Sequence, residues 1–198
     1  MAAQPGAPFS INDIVPIANH LTEAGVVAVK ADSPYKTIEE LVAAAKEKGN
    51  LKASTNGNKA SNHTAAQLRD KSAGFKYKAI AYGGTADQLL ALRQGEVDFT
   101  CAKVADVAKL VKGDKPELRV LAVFNTKRDP ELPNVPTLGE KGLYPEWYGS
   151  ARALVAPKGT KPEVIQYYVE AFKKTMQDPA VIEAHKKAGM ALDFKDNK

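Results

Sequence analysis

Residues 82–106 read YGGTADQLLALRQGEVDFTCAKVAD and hold a helix, a strand and the start of a second helix in one run. Tyr82-Gly83-Gly84 turns the chain. Thr85 and Gln88 stand at capping-box spacing. The spacing predicts a helix over 86–93 that stops at Gly95, a residue suited to the left-handed position after a helix. Val97–Cys101 then reads as a strand, and a helix is expected from about Val104 to near Gly113. Working outward, Leu51–Thr55 and Phe75–Tyr82 read as strands. A helix is expected from about Ser61 to Lys71, and Leu118–Phe124 is a strongly apolar strand. This βαβαβ alternation predicts an α/β fold with a parallel sheet and right-handed crossovers.

The flanks are read in the same way. Residues 1–12 are expected to be irregular, with Pro5 and Pro8, and Val26–Val29 is a small β-like run. Thr37 and Glu40 form a second capping box. Ile38, Leu41, Val42 and Ala45 follow at helical spacing up to Gly49-Asn50. Asn125–Thr137 carries Pro130, Pro133 and Pro136 and is predicted to be extended. Leu138–Gly142 is expected to form a short helical turn. Ala151–Ala156 reads as an apolar strand closed by Pro157. Pro162 suits a first helical position, with Val164, Ile165, Tyr168, Phe172 and Met176 as the apolar stripe. Asp178-Pro179 opens a last helix ending at Gly189.

Three polar loops, Ser54–His63, Tyr82–Gln88 and Thr100–Asp106, each follow a predicted strand and precede a predicted helix. In an open parallel sheet such loops collect outside the carboxyl ends of the strands, where ligands bind. Helix N-termini there offer unpaired N–H groups and a positive dipole end. A small anion, most simply a carboxylate, is the expected guest.

The candidate residues each carry two readings. Asn56-Gly57-Asn58-Lys59-Ala60-Ser61-Asn62-His63 has one glycine and no Gly-Lys-Ser/Thr triplet, so it is not a phosphate loop. Gly57 permits close backbone approach, and Ser61 or Asn62 can cap a helix. The segment is either a carboxylate cradle or a helix cap. Tyr82, Gly83, Gly84 and Thr85 form either a second ligand loop or a tight turn. Lys103 either neutralises an anion or is ordinary surface. Arg152, inside an apolar strand, requires a ligand, a structural ion pair or an exposed edge.

Bulk properties narrow the classes. The chain has 198 residues, of which 44% are hydrophobic and 26% charged. The mean hydropathy is −0.33 and the pI about 9.1. The net charge of +5 favours anionic partners. The lysines, however, are spread over helix faces beside acidic residues, so no nucleic-acid partner is expected. The single cysteine, Cys101, rules out an internal disulfide. No run is long enough to span a membrane. Met1–Pro8 lacks a basic region followed by an apolar core, so no secretory signal is expected in this chain. His20, His63 and His185 are not at metal-ligand spacing. No metal, cofactor or enzymatic chemistry is expected. The rival reading is a small α/β enzyme acting on a carboxylated or phosphorylated substrate, with Cys101, His63 and Lys103 grouped at the sheet edge. A third is a scaffold lobe with no ligand.

Taken together, the motifs resemble a known family. Ser33-Pro34-Tyr35-Lys36-Thr37-Ile38-Glu39-Glu40-Leu41 resembles the "lP-x-k-s-x-x-E-L" opening of the receptors of tripartite tricarboxylate transporters, the TctC or Bug family. Gly57-Asn58-x-x-Ser61-x-His63 resembles its "G-x-G-T-S-S-H" loop. Tyr82-x-Gly84 with Leu89, Gly95, Val97 and Asp98 resembles "Y-K-G-x-x-x-A-x-x-x-L-x-G-x-V-D". Leu132-Pro133-x-Val135-Pro136-Thr137 resembles "L-P-d-V-P-T", and Ser150-x-Arg152 with Ala156-Pro157-x-Gly159-Thr160 resembles "S-x-R-G-x-x-A-P-x-G-T-P".

This resemblance implies a periplasmic solute receptor that closes on a small organic acid. The acid would be a di- or tricarboxylate, an amino acid or an aromatic acid, delivered to the membrane components of a transporter. The implied fold is a parallel-sheet lobe of the type II periplasmic-binding-protein kind plus a partial second lobe. Residues 1–24 would enter from lobe one, 25–150 would form ligand-binding lobe two, and 151–198 would be the return strand and helices of a truncated lobe one. Gly57, Asn58, Ser61, His63, Tyr82 and Gly84 match the ligand positions, and Arg152 would be a counter-charge. Ala60 replaces the loop threonine, and Lys59 stands where glycine is common. The family's N-terminal strand–helix units and C-terminal helix have no counterpart, so a homo-oligomer through the incomplete lobe is a further expectation.

Overall fold

The computed structural model describes residues 8–57, 62, 65, 74, 76–188, 190 and 192–197. The chain divides into two compact units. One is Glu23–Ser150; the other combines Met1–Thr22 with Ala151–Lys198. Strand β1 (Ile14–Lys30) contributes residues to both.

In Glu23–Ser150 the strands are the second part of β1, β2 (Lys52–Thr55), β3 (Lys78–Ala81), β4 (Phe99–Lys103) and β5 (Leu118–Phe124). Their order across the sheet is β3-β2-β4-β1-β5. β2 pairs parallel with β3 and with β4, giving the parallel set expected from the alternation. β1 adds what the alternation does not show: it lies antiparallel between β4 and β5, with Val27 opposite Cys101 and Ala122. The sheet is therefore mixed. A two-residue period distributes its side chains to two faces. Val27, Val29, Phe99 and Cys101 join one core cluster with Ile38, Leu41, Val42 and Ala45 of α1 (Ile38–Lys48). Val26, Ala28 and Ala102 join the other with Leu89 and Leu92 of α2 (Thr85–Gln94) and Val107 of α3 (Val104–Val107).

The ends of α1 follow the sequence. Thr37 Oγ1 accepts from Glu40 N at 3.2 Å, and Glu40 Oε2 accepts from Thr37 N at 3.3 Å. Gly49 ends the helix at φ 66°, a left-handed conformation that glycine adopts without strain. α2 starts differently. Its N-cap is Gly84 and no side chain caps it, so the expected Thr85–Gln88 box does not form. Gln88 is buried and bonded elsewhere. α3 is a single turn rather than a helix reaching Gly113. Leu110 O accepts from both Glu117 N (2.8 Å) and Leu118 N (3.0 Å), which draws the chain directly into β5.

The other unit holds the 3-10 turn Ile11–Asp13, the first part of β1, most of β6 (Gly149–Pro157), α4 (Pro162–Met176), α5 (Pro179–Lys187) and β7 (Leu192–Asp196). β6 and β7 both pair with β1. Ile14–Thr22 was not legible as strand, because Pro16, Asn19 and His20 break its alternation. β7 was likewise unforeseen. The core here is Ile17, Ala18, Ala156, Ile165 and Val169, with Phe172 and Phe194 packed against it. Val164 and Tyr168, read as part of the α4 stripe, are 38% and 47% exposed; the buried face runs through Ile165 and Val169 instead.

Candidate functional site

The strand order places the ends of β3, β2 and β4 side by side, so the loops that follow them are neighbours. Tyr82 N donates to Thr55 O at 2.9 Å, extending the β2–β3 ladder by one residue into both loops. Asn56 Nδ2 reaches Thr85 Oγ1 at 3.4 Å. Lys103 Nζ donates to Asn62 Oδ1 at 2.6 Å. Residues from all three predicted loops therefore meet at one edge of the sheet. Asn58, Ser61 and His63 lie outside the described residues.

Beneath the loops runs a buried polar chain. Ser54, Asn62, Gln88 and Thr100 are all inaccessible or nearly so, and Lys103 is 5% exposed. Ser54 Oγ donates to Thr100 Oγ1 (2.9 Å), whose own hydroxyl donates to Ser54 O (3.0 Å). Gln88 Nε2 donates to Thr100 Oγ1 (2.5 Å) and Cys101 O (2.6 Å), with Ser54 O at 3.3 Å. Asn62 Nδ2 donates to Gln88 Oε1 at 3.0 Å. Burying so many polar groups costs several kcal/mol unless each is bonded, and here they bond to one another. Thr55 Oγ1 and Asn56 Oδ1, also buried, have no hydrogen-bond partner among the described residues.

The glycines at this edge differ in their demands. Gly57 has φ 117°, which a side chain rarely adopts. Gly84 is extended, and a Cβ there would meet nothing within 4 Å, so the protein itself leaves room at the start of α2. Asp87, in the first turn of α2, already faces the positive end of that helix.

Other predicted residues make contacts of their own. The Tyr82 hydroxyl donates to Glu96 Oε2 at 3.2 Å, and burial, followed by that carboxylate, raises its pKa. Arg152 lies exposed on β6 in the other unit, where its charge, after burial and His185, lowers the pKa of His20. Cys101 is fully buried, packed in the core with Phe99, so its thiol is shielded from solvent. Among the described residues no three His, Cys, Asp or Glu side chains gather to hold a metal ion. No described helix is long and apolar enough to cross a membrane.

Sequence reasoning did not select Gln88, Ser54 or Thr100. Ser54 and Thr100 occupy matched positions on neighbouring parallel strands, but their pairing depends on register. Its spacing after Thr85 makes Gln88 resemble a cap. The available signal was a polar side chain adjacent to Leu89 on the inward face of an apolar helix.

Two cavities among the described residues of this unit lie at the other edge of the sheet. One of about 350 Å³ is lined by Ala31, Leu118, Arg119 and Pro133, and one of about 430 Å³ by Lys30, Tyr35, Lys48 and Asp98.

Comparison with known proteins adds the lineage. Residues 4–198 match the model of the family described as "Tripartite tricarboxylate transporter family receptor". The chain is 35% identical to the UPF0065 protein of the gbd 5' region of Cupriavidus necator, over 85% of this chain and 50% of that protein. The structure superimposes on a TctC solute binding protein from Polaromonas with a TM-score of 0.82 and 28% identity, covering 96% of this chain and 65% of the other. It shares its fold with MatC from Rhodopseudomonas palustris with bound malate, at a TM-score of 0.81 and 21% identity over 96% and 65% of the two chains. The chain spans about half the length of the curated relatives it matches.

Proposed function

The chain belongs to the tripartite tricarboxylate transporter receptor family, and from that premise we propose that it is a periplasmic solute-binding receptor, or a portion of one, for a small organic acid. Capture and release, rather than chemistry, would be its task, in partnership with the membrane components of a transporter. The ligand would be a di- or tricarboxylate, an amino acid or an aromatic acid. One relative by fold carries malate.

One observation carries this reading. A buried lysine at the end of β4 and a helix start at Gly84 that no side chain caps belong to two of the three loops at the same sheet edge, on either side of the loop that follows β2. A carboxylate placed there gains N–H donors from α2 and the field of the Lys103 ammonium. We assign Asn56, Gly57 and Asn62, with Asn58, Ser61 and His63 from the same loop, to the first wall of the site. Gly83, Gly84, Thr85 and the backbone of Tyr82 form the second, and Lys103 closes the third. The orphaned oxygens of Thr55 and Asn56 favour a ligand with a hydroxyl or amino group beside its carboxylate.

The test is a thermal-shift and calorimetric panel of malate, succinate, citrate, glutamate and benzoate. Binding to the native state raises Tm with ligand concentration. Lys103→Met is expected to weaken the best-bound acid by about tenfold or more, the loss of a charge-assisted contact. A flat response across the panel would count against a competent receptor.

A further inference from the structure

The buried chain under the loops has a direction that its chemistry fixes. At one end, Gln88 Nε2 faces the carbonyl oxygen of Cys101, which can only accept. Its Oε1 therefore points the other way, at Asn62, which must present its NH2 group. Asn62 Oδ1 is then left facing Lys103 Nζ, which can only donate. Rotating either amide would set donor against donor or acceptor against acceptor. Each amide thus turns its oxygen end toward the cation, and such aligned dipoles strengthen one another in a medium of low dielectric. Gln88 is itself anchored to β4 through Thr100 and Cys101.

We propose that Gln88 is the positioning residue of the acid site: acting through Asn62, it fixes the Lys103 ammonium at the end of β4 and so makes the site select ligands by negative charge. Gln88 does not touch the ligand. Its helix, α2, starts at the second loop, while Asn62 belongs to the first and Lys103 to the third. One side chain therefore ties all three loops to a common charge. The proposal rests on the carboxylate reading of this edge, but its mechanical part can be tested without any ligand.

The test uses the full chain carrying Gln88→Met, which keeps the side chain's length and removes its amide. The first readout is proton exchange of the Lys103 ammonium with water, followed by nitrogen NMR. Exchange is expected to be about fivefold faster in Gln88→Met than in the wild type, the scale of one lost neutral hydrogen bond, here the bond that holds Asn62 in place on the ammonium. Leu92→Ala removes packing from the same helix but leaves the amide chain intact; it is expected to change the exchange by less than about twofold. Unaltered exchange in Gln88→Met, or equal acceleration in both variants, would overturn the proposal. Should Gln88→Met not fold, Asn62→Leu breaks the next link and carries the same expectation.

The second readout is calorimetric titration with the best-bound acid of the panel. Gln88→Met is expected to weaken binding about tenfold, and to weaken it no further when Lys103→Met is already present. Independent losses would overturn the proposal. If the wild type binds no acid of the panel, the carboxylate reading fails, while the exchange experiment still decides whether Gln88 governs Lys103.

Discussion

The two units of this chain treat their apolar side chains differently. In Glu23–Ser150 the sheet is covered on both faces, and Phe99, Phe124, Leu41 and Leu92 are wholly buried. In the other unit the buried cluster comprises, among the described residues, Ile17, Ala18, Ala156, Ile165 and Val169, while Leu154, Val155, Tyr167 and Tyr168 stay 37%, 43%, 70% and 47% exposed. An apolar strand is stabilised only on the face that something covers. Patterning can fix where a strand runs without fixing whether both its faces are packed.

The largest expected effect tests the covered side. Phe99→Ala should cost Glu23–Ser150 about 3–5 kcal/mol in denaturant unfolding, the usual penalty for emptying a packed aromatic site. A cost below about 1 kcal/mol would break the comparison. Gly149→Ala comes next. A Cβ there would run into the carbonyl oxygen of Glu23 and the ring of Trp147, so a loss of about 1–3 kcal/mol is expected, read from Trp147 fluorescence. Thr37→Ala removes the cap of α1 and should cost about 1 kcal/mol, with Thr37→Ser restoring most of it.

Smaller again is the pH response of the other unit. His20 Nε2 and His185 Nε2 stand 2.8 Å apart, and His185 Nδ1 donates to Val181 O at 2.7 Å. Burial, then His185, then Arg152 lower the His20 pKa below 6.5. A histidine that holds its proton less tightly when folded stabilises the fold at higher pH and loses that contribution as pH falls through its folded value. Backbone hydrogen exchange in α4 and α5 should therefore quicken as pH drops below about 6.5, after correction for intrinsic rates. His20→Phe should flatten the trend. Phe172, edge-on to His20, gives the replacement ring a neighbour. The smallest effect belongs to the bare side: Val155→Ser should change stability by less than about 0.5 kcal/mol. A larger loss would mean that the exposed face is packed in solution.

Much of the fold was legible because local chemistry and tertiary context agreed. Leu118–Phe124 formed the expected strand, and Thr37, Glu40 and Gly49 bounded α1 as expected. What escaped depended on partners distant in sequence. Ile14–Thr22 became strand because β6 and β7 pair with it, which its own polar residues do not announce. β1 entered the parallel set antiparallel for the same reason: direction is decided by the neighbours. At the candidate site, the meeting of the three loops followed from strand–loop–helix order. The polar chain beneath them did not, since the bond from Gln88 to Asn62 crosses 26 residues and that from Lys103 to Asn62 crosses 41.

The sole thiol of the chain offers a clock. Cys101 sits in the centre of β4, between Phe99 at one end and Lys103 at the other, at 0% exposure. A thiol-reactive dye can label it only when the surrounding sheet opens. The rate of labelling, compared with that of an unfolded peptide, thus measures the opening of Glu23–Ser150 in plain buffer, with no denaturant to extrapolate away.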